Sequence, residues 1–125
     1  MTDHNTGATT PDAAHDIKTR MRADLKAAMA ARQSAAVATL RTLIAAIDNS
    51  EAPAAPQTAR THDFLSGSAE VARLELSRED IDRILHVEIA EREAAATQMD
   101  ELGQTTRAAD LRAASALTRT YLSDL

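Results

Sequence analysis

The residues able to do chemistry are few. The chain has four histidines and no cysteine, so it holds no thiolate nucleophile, no disulfide and no Cys-ligated zinc. No Gly-x-Ser-x-Gly turn presents a serine, and the three glycines form no loop that could cradle a phosphate. His4 and His15 fall in or near an aperiodic start, His62 in an irregular stretch, and only His86 lies on a well-specified helix. Asp82 stands four residues before His86, on the same helical face. A ferritin-like Glu-x-x-His site would need a glutamate at 83, where Arg83 is found. His86 is therefore read as a surface histidine beside an apolar face, and no metal, cofactor or catalytic residue is assigned. Glu79, Asp80, Asp82, Glu88, Glu91 and Glu93 crowd the same helix. Burial of one such acid would suit acid–base work. The plainer reading is a solvated face on which Glu88 and Arg92, four apart, form an ion pair.

The basic residues form a clearer pattern. Residues 17–41 hold six lysines and arginines against the single Asp24, although the whole chain has a net charge of −5. Lys18, Arg22 and Lys26 repeat every fourth residue and line one side of a helix. Phosphate contact needs little more than such a row. The same row also suits a solvated face, or a patch that meets the acidic helix inside the domain. Base stacking is not on offer, because Phe64 and Tyr121 are the only aromatics. A structured RNA read by shape, such as tRNA, fits better. The acidic total counts against indiscriminate nucleic-acid binding, and no DNA partner is assigned. No aromatic anchor or apolar run of eighteen residues marks a membrane partner. A start with neither a basic nor an apolar stretch, together with the missing cysteines, makes the cytoplasm the expected location.

The elements that position these groups are helical. Alanine supplies 28 of the 125 residues, and the β-branched and aromatic residues that favour strands are scarce. The expected fold is a small all-α domain of four helices with a long irregular connection between the second and third. Residues 1–10 read as a disordered leader and 11–125 as the domain. Thr10-Pro11-Asp12 suits a helix start, and Ile17, Met21, Leu25, Ala28 and Met29 carry an apolar stripe to about residue 31. Ser34 is placed to cap a second helix with Val37, Leu40, Ile44 and Ile47 on its face, ending near 49. Prolines and Ser66-Gly67-Ser68 mark an irregular stretch over about 50–75, with Phe64, Leu65, Val71 and Leu74 as tethers to the core. Ser77 and Asp80 approximate a capping box, flanked by Leu76 and Ile81 as a hydrophobic staple. The third helix keeps Ile81, Ile84, Leu85, Ile89, Ala95, Ala96, Met99 and Leu102 on one broad face, and Gly103 suits its left-handed C-cap. Thr105 or Thr106 opens a fourth helix with Leu111, Ala114, Leu117, Tyr121 and Leu122 in its stripe, running to the chain end. Because large side chains are few, alanine burial, helical hydrogen bonds or a second copy of the chain must complete the core. Homo-oligomerisation is accordingly one expectation.

Several strings stand in a familiar order: Leu25-Lys26-Ala27-Ala28-Met29, Thr39 to Asn49, Leu76-Ser77-Arg78-Glu79-Asp80-Ile81, Glu88 to Ala95, Leu102-Gly103 and Tyr121-Leu122. Over roughly residues 17–125 the chain resembles the GatB/YqeY family, small helical proteins related to the tail of the tRNA-dependent amidotransferase B subunit. The resemblance implies an accessory module associated with glutamine-dependent amide transfer on aminoacyl-tRNA, a carbon–nitrogen ligase reaction, with no catalytic residue carried over. Its partners would be tRNA or an amidotransferase-like protein. Arg41, Asn49, Glu88, Arg92 and Gly103 match the recurrent positions, so Arg41 joins Lys18, Arg22 and Lys26 as a candidate RNA- or partner-binding residue. The family continues through Tyr-Leu-Pro into a smaller helical domain. Here Ser123 follows Tyr121-Leu122, and that domain is expected to be missing. The alternative reading is a protein–protein or homo-oligomerisation module with no tRNA role.

Overall fold

The computed structural model describes residues 13–53 and 73–123. The described residues form four helices, α1 (Ala13–Ala30), α2 (Ser34–Glu51), α3 (Arg78–Glu101) and α4 (Thr105–Arg119), and no strand occurs among them. The all-α, four-helix expectation holds. None of these helices is long and apolar enough to cross a membrane. The Thr10-Pro11-Asp12 start, the leader, and Phe64, Leu65 and Val71 lie outside the described residues.

The described residues form two αα-hairpins whose loops share one design. At the end of α1 the Gln33 N–H donates to Ala28 O and the Arg32 N–H to Met29 O, with Arg32 at φ 60°. At the end of α3 the Gln104 N–H donates to Met99 O and the Gly103 N–H to Asp100 O, with Gly103 at φ 76°. Both are Schellman endings, in which one left-handed residue lets two terminal carbonyls find donors. Gln33 and Gln104 then begin the next helices with no side-chain cap. Ser34 is therefore the first residue of α2 and not its cap. The predicted capping box is present: Ser77 Oγ accepts from the Asp80 N–H while Asp80 Oδ2 accepts from the Ser77 N–H.

Ile17, Met21, Leu40, Leu43, Ile47, Ile81, Leu85 and Tyr121 form the shared core between the hairpins. Leu76 joins them, as the staple requires, whereas Leu74 is 48% exposed and tethers through its backbone N–H to Glu51 O. Met29 and Leu102, at the ends of their stripes, are 50% and 66% exposed. The buried line of α4 is Ala108, Ser115 and Thr118, with Leu111, Ala114 and Leu117 only half-buried. The reason is the narrow α3–α4 seam. Ala96 and Ala108 are both fully buried at the same level, and the Ser115 hydroxyl faces Ile89 O at 3.5 Å. Small side chains at these positions leave room for the two helices to approach closely.

The fourth helix stops at Arg119 and does not continue to the chain end. Thr120–Leu122 turn instead, and Tyr121 is fully buried under the bundle. Its hydroxyl donates to Asp24, and the Arg20 guanidinium lies 4.7 Å from its ring centroid while donating to Thr120 O at 3.0 Å. Arg78 donates to Tyr121 O and Ser123 Oγ, and Asp82 accepts from both the N–H and the hydroxyl of Ser123. Four charged side chains from α1 and α3 thus fasten the turn.

Candidate cationic seam on the first hairpin

Lys18 is the member of the basic row that the fold withdraws from solvent. It is buried, and its Nζ lies 2.7 Å from Asp48 Oδ1 and 2.5 Å from Glu51 Oε1 on α2. Arg73 reaches the same Glu51 at 3.1 Å, closing a cluster of two cations and two acids. Burial opposes the charge on Lys18, but the hydrogen bonds to Asp48 and Glu51 outweigh it and hold the ammonium above its ordinary range. The basic row does meet acids inside the domain, but they belong to α2 and not to the acidic α3.

The same contact sets the register of the hairpin. Lys18 faces Asp48 and Glu51, so Lys26, about two turns nearer the loop, comes level with Arg41 on the antiparallel partner. Arg22, Lys26 and Arg41 are all exposed, and their helical phases place them on the outer side of the α1–α2 seam. On their outer sides stand exposed alanines, Ala23 and Ala27 on α1 and Ala38 and Ala45 on α2, which leave a broad anion room to approach. Arg32 is exposed in the loop at the same end.

Pairing separates this seam from the rest of the surface. Among the described residues Arg73, Arg78, Arg83, Arg92, Arg112 and Arg119 all make ion pairs. The expected Glu88–Arg92 pair is there at 2.7 Å. Arg20 is spent on Tyr121. Apart from Arg20, which pairs with no acid but is held by Tyr121 and Thr120, the lysines and arginines left without an acid among the described residues are Arg22, Lys26, Arg32 and Arg41 on the first hairpin and Arg107 on the second. Among the described residues, most of the unpaired basic charge therefore lies on the first hairpin.

No competing reactive centre appears among the described residues. No group of three His, Asp or Glu side chains is placed to hold a metal. His86 is exposed, and its neighbour Asp82 is engaged by Ser123 and Arg78. Burial raises the Asp82 pKa, but the Ser123 hydrogen bonds and the nearby Arg78 outweigh it and lower the carboxyl below its ordinary range. Asp82 is thus a held anion unsuited to proton transfer near neutrality. The fastening of Tyr121 and the role of Arg32 escaped the sequence reading; the i, i+4 spacing of Arg78 and Asp82 is the one local hint of the former.

The fold and the seam together define a pair of helical hairpins with a cation-bearing outer face and no visible catalytic group among the described residues. Set against models of known protein families, curated proteins and solved structures, the chain matches none.

Proposed function

We propose that this chain is a non-catalytic accessory module of the GatB/YqeY type that contacts structured RNA, tRNA being the representative case, in the setting of tRNA-dependent amide transfer. The link to that reaction rests on the resemblance between motifs. The contact rests on one observation, the convergence of the exposed Arg22, Lys26 and Arg41, none of them paired with an acid among the described residues, along the α1–α2 seam. Such a face reads phosphates and helical shape without reading bases.

Filter binding of bulk tRNA at 50 and 200 mM salt tests the proposal. Three phosphate contacts predict an affinity loss of roughly 20- to 40-fold across that range. Arg22→Ala, Lys26→Ala and Arg41→Ala should each weaken binding and flatten the salt slope. Lys18→Met should leave the slope unchanged while lowering stability by roughly 2–3 kcal/mol, because it strands acids that are partly withdrawn from water. Binding that is absent at 50 mM salt, or that depends on Lys18 and not on the seam, defeats the reading.

A further inference from the structure

The side of α2 turned away from α1 borders a trough against α4. One part, of about 410 Å³, is lined by Ala35, Thr39, Asp110, Ala114 and Leu117 among others. It continues into a second part of about 270 Å³ that reaches Thr42 and Arg92. From Gln33 to Thr42 the trough follows roughly 14 Å of α2, between two and three helical turns.

The polar residues lining the trough are less polar than their names suggest. Thr39 Oγ1 donates to Ala35 O at 3.1 Å and Thr42 Oγ1 to Ala38 O at 3.0 Å, so both hydroxyls are satisfied within α2. Arg92 is held by Glu88. The charge left without a partner among the described lining residues is the carboxylate of Asp110. A channel with small apolar walls and one free carboxylate fits a helix with an alanine-sized ridge flanked by cations.

This chain carries such a helix. The solvent face of α1 presents Ala23, Ala27 and Ala30 beside Arg22 and Lys26, all exposed. We propose that the trough docks α1 of a second copy, with Arg22 and Lys26 of one molecule facing Asp110 of the other. Alanine on both sides permits close approach of the helix axes, and the opposite charges fix the register. The two contacting patches differ, so association either propagates, closes into a ring, or is reciprocated about a two-fold axis. The contact goes beyond the RNA reading and competes with it for α1.

Sedimentation equilibrium without RNA tests the docking. At low salt the wild-type mass should rise above that of the monomer with concentration, and high salt should reverse the rise. Asp110→Lys alone, and Arg22→Asp/Lys26→Asp alone, should remain monomeric with unchanged helicity by circular dichroism. An equimolar mixture of the two variants should associate again, because each supplies the face that the other has inverted. Ala113→Glu, at an exposed position in the trough wall, should block association without touching either charge. A wild type that stays monomeric at roughly 1 mM, or a mixture that does not associate, overturns the proposal. Because no RNA is present, failure of the RNA reading leaves these outcomes untouched, and Asp110→Lys lies outside the RNA seam.

Discussion

At the scale of single residues, the most consequential side chain is Tyr121, the only tyrosine in the chain. It is fully buried and donates to Asp24. Burial first, and the Asp24 carboxylate second, push its phenol well above the ordinary tyrosine range. The neutral phenol is therefore favoured in the folded chain. Its contribution is complete below the unfolded value of about 10 and is lost as pH climbs from there toward the folded value. Lys18, also raised, loses its contribution as pH climbs above its unfolded value of about 10.4. We predict that urea midpoints hold steady up to about pH 10 and then fall steeply. Phenolate absorbance, which reports Tyr121 alone, should appear only with unfolding. Tyr121→Phe should cost about 1–2 kcal/mol at pH 7 and lose a smaller share of its stability in alkali. A phenol that titrates near pH 10 in the folded protein would refute this account.

At the scale of elements, the two hairpin loops perform the same backbone turn with different residues, and that difference has a measurable consequence. Gly103 adopts φ 76° without a Cβ, and nothing lies within 4 Å of the position a Cβ would take. Gly103→Ala should therefore destabilise by about 1 kcal/mol through backbone strain alone. Arg32 bears that strain already, so Arg32→Gly should stabilise by roughly 0.5 kcal/mol, the relief being partly offset by unfolded-state entropy. Thermal melts of both variants decide it, and opposite signs are required. These loops also show where local pattern stops being informative. Gly103 and the Ser77–Asp80 box announce themselves because their side-chain types are tied to one backbone geometry. An arginine in the left-handed region carries no such mark, and Ser34 offers a cap that the chain does not use. The cationic row was readable from four-residue spacing. That Lys18 is consumed was not, because its acids lie 30 and 33 residues away and only the hairpin register brings them together. On α4, hydrophobicity favoured the leucines, whereas packing against the α3 backbone selected Ala108, Ser115 and Thr118.

At the scale of the whole molecule, helix length and side-chain size divide the fold into a firm half and a soft one. The 24 residues of α3 span about 36 Å, against about 27 Å for the 18 residues of α1 or α2. The far end of the second hairpin is also thinly packed. Between Thr97 and Arg107 only Met99 is even half-buried, and Ala96 and Ala108 beneath it bury little more than a methyl group each. Near its base, by contrast, Ile81 and Leu85 are fully buried beside Tyr121 and the core of the first hairpin. Local opening free energy follows buried apolar contact. Amide hydrogen exchange should therefore show the last turn of α3 and the first turn of α4 exchanging by local fraying at low cost. Amides around Leu85 and Ile89 should exchange only through global unfolding, with a urea dependence equal to that of the whole protein. Filling the seam with Ala108→Leu should force the helices apart, costing about 1–3 kcal/mol. It should also carry the fast-exchanging zone toward Ile89, since the closeness of the small residues is what joins tip to base. Uniform protection along α3 would mean that the tip draws stability from contacts other than this seam.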